Sequence, residues 1–306
     1  QQQQHHQQHH QQDHLHSPPD QEKGMLGTSL SPNEIPSNVS SQSTAQPNDI
    51  TAVGGDVKRL SRPWGFMKQP TPRDFKGKRK RQLAFDLPPQ PFDYIVVLDF
   101  EWTCDNRQRV EPYAEIIEFP SVLLKCTPAH GLKQAKCEVV DQIQLYVKPT
   151  HNPILSPFSI QLCAIPQETI DDAPSLAETL KLYTAWLKKH NLFVGGAFTF
   201  AILTWGDSDV MNTLFTQCIG EGIPLPAEFK QGWINLKALY QKHFRREPRG
   251  GLQRVVEGLG FDFEGRAHSG LVDSINTAKI VIKMVQEGFK FVRYTRGFDK
   301  TGQPYG

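Results

Sequence analysis

Apolar residues concentrate after residue 91, where their spacing predicts strands first and helices later. Three early runs have strand length and are rich in β-branched and aliphatic residues, so we predict strands over residues 93–98, 115–124 and 139–147. The first clear amphipathic helix covers residues 175–187, with apolar positions at intervals of three and four. Ser175 and Glu178 form a predicted capping box at its start.

Downstream of that helix the pattern alternates between strand and helix. Residues 191–205 contain another apolar strand candidate, and further helices are predicted over residues 210–219, 233–244, 251–259 and 271–287. Pro120 predicts a bulge or an edge position in the second strand. Strands followed by alternating strands and helices indicate an α/β domain over residues 92–290, with a mixed five-stranded sheet flanked by helices, and a C-terminal tail over 291–306.

The first 91 residues lack this periodicity. Residues 1–57 are a Gln/His- and Ser/Pro-rich stretch that cannot bury enough apolar surface to fold, so we predict a disordered tail rather than a histidine metal site. Residues 58–91 form a predicted basic linker, and their first 24 residues hold ten Lys or Arg against one acid. Three interpretations stay open for it: a grip on a polyanion, a nuclear localisation signal, or a solvated connection.

Composition narrows the class of protein. The chain has 306 residues, a formal net charge of +2 and no apolar run near the ~20 residues of a membrane span, so no membrane is expected. Its five cysteines are widely spaced and lack a CxxC pair, which favours reduced intracellular thiols. We expect an intracellular protein, located in the cytoplasm, the nucleus or both. The first residue is Gln1, which predicts that the natural protein starts upstream.

Two acids follow the first strand directly. Asp99 and Glu101 are two residues apart, so their side chains share one face if the strand continues through them. Like charges this close repel one another unless a proton or a cation lies between them, and Mg²⁺ prefers such oxygen ligands. The alternative is a strand end with two solvated acids.

Three more candidates lie at strand ends or helix starts, where sites collect in α/β sheets. Asp209 follows a late strand, Asp273 lies in the first turn of the last helix, and His268 precedes it by five residues on a loop in which Gly270 allows a flexible turn. Each also has an explanation without function. The charge of Asp273 would interact favourably with the dipole of its helix, and a histidine on a loop is usually just solvated. Asp207 is an alternative to Asp209.

Taken together, these residues resemble the DEDDh branch of the 3′→5′ exonuclease superfamily. Asp-x-Glu, a later Asp and His-x₄-Asp occur in the order of that family. The surrounding motifs are similar to the exoribonucleases of the RNA-interference-enhancing and histone-mRNA 3′-end type, at residues 98–104, 115–120, 146–149, 204–209, 233–237 and 265–273. The resemblance covers residues 92–290 and implies a ribonuclease H-like fold.

The resemblance also implies a mechanism. Asp99, Glu101, Asp209 and Asp273 would hold two Mg²⁺ ions, with Mn²⁺ as a substitute, and His268 would be the general base, since an imidazole titrates near neutral pH. The products would be nucleoside 5′-monophosphates. The expected substrates are single-stranded RNA and RNA 3′ overhangs, with ribonucleoprotein partners as an extension. A DNA 3′ exonuclease and a catalytically inactive RNA-binding module are the alternatives.

The resemblance further implies a wall against which the terminal nucleotide stacks. Its residues in this chain would be Phe100, Leu162, Cys163 and Ile165. Relatives commonly carry Glu-Leu-Thr-Gly-Ile where residues 161–165 read Gln-Leu-Cys-Ala-Ile. We expect this change to remove a hydroxyl donor and add a methyl group, and so to alter the fit of the substrate while leaving the metal ligands in place.

Overall fold

A computed structural model describes residues 90–127, 135–299 and 301–305. The predicted Gln/His tail and basic linker lie outside these residues, apart from the last two positions of the linker. The link between the second and third strands also lies outside them for the most part. The described residues form a mixed α/β fold, as predicted.

The main sheet is mixed and has five strand positions. Its strands are β1 (Tyr94–Leu98), β2 (Glu101–Trp102), β3 (Ile116–Thr127), β4 (Lys136–Tyr146), β5 (Phe200–Thr204) and β6 (Trp233–Asn235). β2 continues β1 along the same side of β3, so the lateral order is β4, β3, β1 with β2, β5, β6. β3 is antiparallel to β1 and β4, whereas β5 is parallel to β1 and β6. The predicted mixed sheet is confirmed.

Helices pack on both faces of this sheet. They are α1 (Pro157–Cys163), α2 (Gln167–Asp171), α3 (Leu176–Lys189), α4 (Phe215–Gly220), α5 (Ala227–Lys230), α6 (Leu236–Phe244), α7 (Gly251–Gly258) and α8 (Gly270–Gln286). A π-helical segment, Ser208–Leu214, leads into α4. The capping box of Ser175 and Glu178 is present at the start of α3, as predicted. None of the helices in the described ranges is long and apolar enough to cross a membrane.

The central strand β1 shows why the sheet is buried on both sides. Ile95 and Val97 pack in the core beneath α8, whereas Val96 and Leu98 pack in the core beneath α3. Strand side chains alternate between faces, so a strand covered on both sides is apolar at every position. Each fully buried aliphatic side chain contributes roughly 1.5–3 kcal/mol. The end of β1 is thereby held rigidly, with the acids directly after it.

The position of Pro120 differs from the prediction of an edge or a bulge. Pro120 lies inside β3, with β4 on one side and the break between β1 and β2 on the other. Proline has no N–H to donate to a ladder. Because residues 99 and 100 interrupt the neighbouring strand opposite it, no hydrogen bond is lost there.

Two further predictions need correction. Residues 233–235 were predicted as helix but form β6, paired with β5, and the Asn235 side chain caps α6 by accepting from the Ala238 N–H at 3.2 Å.

Residues 291–306 were predicted as a tail. However, Phe291 is buried in the core, the backbone of Arg296 pairs with that of Trp233, and β7 (Gly297–Phe298) pairs with β8 (Pro304–Tyr305). Apolar contacts extend the domain beyond residue 290.

Candidate active site

Four acids from four separate elements meet where β1 and β5 end. Asp99 lies in the break between β1 and β2, Glu101 in β2, Asp209 in the π-helical segment and Asp273 in the first turn of α8. We call these four residues the acid cluster. Glu101, Asp209 and Asp273 are buried and Asp99 is half-buried. The strand on which the prediction depended does not run through Asp99, but the register with β3 is the same on both sides of the break, with Leu98 opposite Ser121 and Glu101 opposite Glu118.

His268 lies beside this cluster. One ligand atom each from Glu101, His268 and Asp273 lie within 4.8 Å of one another. The His268 backbone N–H donates to Asp273 Oδ2 at 2.9 Å, and His268 has a left-handed backbone with φ +63°. That conformation is uncommon for a residue with a side chain, and such residues concentrate at functional sites. The loop and the helix therefore hold an imidazole next to two carboxylates.

Asp207 and Asp209 have different surroundings. Asp207 accepts hydrogen bonds from Arg296 Nε at 3.0 Å and from Trp233 Nε1 at 3.2 Å, and the Arg296 contact is an ion pair. Asp209 instead accepts from the Phe100 N–H at 2.8 Å, which joins it to the backbone between β1 and β2. The geometry therefore places Asp209 with the acid cluster and gives Asp207 a structural partner.

The acid cluster favours protons because its charges are crowded and shielded from water. Burial and, to a lesser extent, the negative charges of Glu118 and Asp209 raise the pKa of Asp273 to about 7. The hydrogen bond from the His268 backbone lowers this pKa but does not outweigh them. Burial likewise raises the pKa of Asp209 to about 6. The pKa values of Asp99 and Glu101 are raised well above their ordinary range, first by burial and then, for Asp99, by the neighbouring acids. Either protons or cations would relieve this repulsion.

Gly270 has a different role from the one predicted. It is the first residue of α8, and a Cβ built on it would overlap the backbone carbonyl oxygen of Asp99 and crowd Pro120. Glycine is therefore needed for the close approach of two backbones rather than for flexibility. This contact sets how near α8 comes to the end of β1.

The predicted wall is only partly at the surface. Leu162 is half-buried, whereas Cys163 and Ile165 are each 3% exposed. The ring of Phe100 is 2% exposed and packs on Phe119 at 4.3 Å between centroids, so it belongs to the core. This position argues against the prediction that the Phe100 ring contacts substrate, because the ring is covered by other side chains.

The change from Thr-Gly to Cys-Ala has a different consequence from the one expected. Cys163 Sγ donates to Glu101 Oε2 at 3.1 Å, so the thiol supplies a donor where we expected its loss. Ala164 ends α1 in the left-handed conformation, with φ +54°. Glycine is the usual residue at that position of a helix end, and alanine there costs roughly 1–2 kcal/mol.

The sequence patterns missed two charged residues near the cluster. Glu118 on β3 is 1% exposed, and its charge raises the pKa of Asp99, after burial and other acids. Lys237 on α6 is half-buried, and burial lowers its pKa while attraction from Asp99 and Asp209 opposes the shift. Both lie inside motifs on which the family resemblance rests, Glu118 in residues 115–120 and Lys237 in residues 233–237, but neither was predicted to act at the site.

Comparisons with known proteins agree with this arrangement. The family model described as exonuclease, RNase_T, matches residues 96–281. The human protein named ERI1 exoribonuclease 2 is 33% identical over 257 residues, which cover 80% of this chain and 35% of that protein. The mouse 3′-5′ exoribonuclease 1 is 40% identical over 199 residues, which cover 64% of this chain and 54% of that protein. The chain thus spans about a third to a half of the length of these relatives.

A solved structure is similar over much of the domain. It is described as "3'-end specific recognition of histone mRNA stem-loop by 3'-exonuclease". It matches with a TM-score of 0.63 at 34% identity, covering 72% of this chain and 73% of that chain. The match to the family model, which runs from residue 96 to residue 281, contains all four residues of the acid cluster.

Proposed function

Because the chain belongs to the exonuclease family, we propose that it is a 3′→5′ exoribonuclease that shortens RNA from the 3′ end and releases nucleoside 5′-monophosphates. The observation that carries this proposal is the meeting of ligand atoms from Glu101, His268 and Asp273 within 4.8 Å, beside the further acids Asp99 and Asp209. Lys237 is the lysine that the described part of the chain places near Asp99 and Asp209, and a single cation does not balance so many buried carboxylates.

The donor set fits hard divalent cations. Asp99, Glu101, Asp209 and Asp273 supply oxygen ligands, and Asp273 Oδ1 is buried without a hydrogen-bond partner among the described residues. A buried carboxylate oxygen in that state is costly unless something binds it. We propose that these four residues hold two Mg²⁺ ions, with Mn²⁺ as a substitute. The chemistry supplied by two bound ions is stabilisation of the attacking and leaving oxygens of a phosphodiester displacement.

His268 is the proposed general base. Its backbone N–H is fixed by Asp273 Oδ2, and its left-handed conformation brings the imidazole to the acids. An imidazole placed there can take a proton from the attacking water, and bound cations would keep the neighbouring carboxylates ionised. Proton transfer from a positioned base contributes about 10²–10⁴ to a rate.

The substrate assignment comes from the relatives, whose names describe exoribonucleases. We propose single-stranded RNA and RNA 3′ overhangs as substrates, with Leu162 offering the exposed part of the wall beside Cys163 and Glu101. Ribonucleoprotein partners and a location in the cytoplasm or nucleus stay predictions.

Digestion of matched RNA and DNA strands tests the proposal. With Mg²⁺ the parent protein should release 5′-mononucleotides from the RNA 3′ end faster than from DNA. His268→Ala should lower kcat by about 10²–10⁴ with little change in RNA affinity, because a base acts in the transition state. Faster digestion of DNA would support the DNA exonuclease instead. RNA binding without release under any divalent ion would support the binding module.

A further inference from the structure

Glu118 is a buried acid to which the proposed reaction assigns no role. It lies on β3, directly opposite Glu101 of β2, and is 1% exposed. Its side chain reaches the start of α8, where Oε2 accepts from the Gly270 N–H at 2.9 Å and Oε1 accepts from the Leu271 N–H at 3.1 Å. From the other side, Gln144 Nε2 of β4 donates to Oε1 at 2.8 Å. One carboxylate thus joins two strands to the first two residues of a helix.

The three hydrogen-bond partners of this carboxylate are all donors. A carboxylate is the side-chain group that can accept on both of its oxygens, whereas an amide in the same place turns an NH₂ group towards a donor. The first N–H groups of a helix have no partner within the helix, and a negative charge near them is favourable. Glu118 supplies both the acceptors and the charge, and its two oxygens are engaged by the protein. It therefore differs from Asp273, whose Oδ1 lacks such a partner among the described residues.

The start of α8 controls the geometry of the reacting groups. Asp273 lies in the first turn of this helix, and His268 lies two residues before the helix begins. The His268 N–H donates to Asp273 Oδ2 and joins the two residues. On the same turn, Gly270 approaches the carbonyl oxygen of Asp99 so closely that a Cβ would overlap it. A shift of the first turn would move His268 and Asp273 together, away from Asp99 and Glu101, which are fixed by the sheet.

We propose that Glu118 is a positioning residue for the exonuclease reaction. By holding the Gly270 and Leu271 N–H groups against β3, it sets the distance between the strand-borne acids and the pair formed by His268 and Asp273. Gln144 orients the carboxylate from β4. This role rests on the proposed function for its effect on rate, whereas the hydrogen bonds that carry it can be tested without any substrate.

The experiment uses the full chain and three variants. Glu118→Gln keeps the size of the side chain but places an NH₂ group against a donor. In the double variant Glu118→Gln/Gln144→Glu, the amide at residue 118 can donate to the carboxylate at residue 144 and accept from one N–H group of α8. Glu228→Gln is the control, since it changes another buried acid that makes no hydrogen bond to α8 in the described part of the chain. Each variant is measured for kcat on RNA, for RNA affinity in EDTA, and for hydrogen exchange at Gly270 and Leu271.

Glu118→Gln should lower kcat by about 10–10², since a misplacement of about 1 Å costs this much, with RNA affinity within about twofold. Hydrogen exchange at the Gly270 and Leu271 amides should become faster. The double variant should have a kcat at least several-fold higher than that of Glu118→Gln, and the control should match the parent. Unchanged kcat and unchanged amide exchange in Glu118→Gln would overturn the proposal, as would equal losses in Glu118→Gln and the control.

Two outcomes need a second measurement. If Glu118→Gln alone fails to fold, the double variant decides the question by comparison with the parent. Hydrogen exchange at Gly270 and Leu271 as slow as in the parent, together with a kcat far below that of the parent, would overturn the role in the reaction. If the parent releases no nucleotide, the proposed function fails by itself. Amide exchange in Glu118→Gln then still shows whether the carboxylate holds α8.

Discussion

Two buried acidic regions of the domain, the acid cluster and the surroundings of Glu115, behave in opposite ways. Glu115 is fully buried next to the segment Thr150, His151 and Asn152, which we call the Glu115 pocket. Its carboxylate accepts from the N–H groups of all three, at 2.6 Å from Thr150, 3.0 Å from His151 and 2.6 Å from Asn152. The side chains of Thr150 and Asn152 donate as well, each at 3.0 Å.

The pKa directions follow from the donors. At Glu115 burial raises the pKa, but the hydrogen bonds from His151, Asn152 and Thr150 outweigh it and the pKa lies below its usual range. In the acid cluster the donors are few, and burial with mutual repulsion raises the pKa values. Burial alone therefore does not mark a functional acid. A shortage of protein donors around a buried carboxylate is what indicates a missing cation.

The largest expected effect is on catalysis by the acid cluster. Asp99→Asn should lower nucleotide release by about 10³ or more, because metal ligation supplies several kcal/mol of transition-state stabilisation. The same change relieves repulsion, so the variant should melt at an equal or higher temperature than the parent in EDTA. Thermal melting with and without Mg²⁺ checks the second part.

Mg²⁺ should raise the melting temperature of the parent more than that of Asp99→Asn, since a ligand of the native state stabilises it by mass action. A parent that gains nothing from any divalent ion, together with a variant that is less stable in EDTA, would remove the distinction between the two regions. The acid cluster would then be another set of structural acids.

A smaller effect, on stability alone, is expected at the Glu115 pocket. Glu115→Gln should destabilise the protein by about 3 kcal/mol, because hydrogen bonds to a charged acceptor contribute about 1.5–3 kcal/mol each and the amide turns a donor towards donors. Urea unfolding measures this change. The folded variant should keep its kcat and its response to Mg²⁺. A loss of less than about 0.5 kcal/mol would show that the donors of the pocket contribute little.

The sequence carried most of the fold because local periodicity decides it. The apolar runs before Asp99 and around Ile117 could only be buried strands, and the capping box of Ser175 and Glu178 marked the start of α3. The sheet class is confirmed, and the structure brings the predicted acids together. Each follows a strand or begins a helix, and the chain order of such elements determines which edge they share.

What the sequence could not reveal depends on contacts between distant segments. Trp233 to Asn235 are too few to show a strand period, and they pair only because β5 lies beside them. Gly270 looked like a flexible turn, but the approach of the Asp99 carbonyl explains it. Glu118 was not singled out among the residues of its predicted strand, because its partners come from β4 and α8. Such requirements appear only once the elements are packed.

The smallest expected effect is on the pH dependence of stability, where the two regions should act in separate ranges. In unfolded chains an aspartate has a pKa of about 3.9, whereas burial in the fold raises the pKa of Asp209 to about 6 and that of Asp273 to about 7. Between about pH 4 and pH 7 the native state therefore holds more protons than the unfolded state, so in EDTA stability should fall as the pH rises. Glu115 has a lowered pKa, and its contribution is lost only as the pH falls below about 4.

Urea unfolding in EDTA from pH 4.5 to 7.5 measures this slope, and the difference between parent and variant removes the contribution of other groups. Asp273→Asn keeps an oxygen to accept from His268 but cannot titrate, so its stability should fall less steeply with pH than that of the parent. Mg²⁺ should likewise make the stability of the parent fall less steeply with pH, because it replaces protons as the partner of the carboxylates. Parallel curves for parent and Asp273→Asn would mean that Asp273 is already ionised at pH 4.5, and that its surroundings resemble those of Glu115.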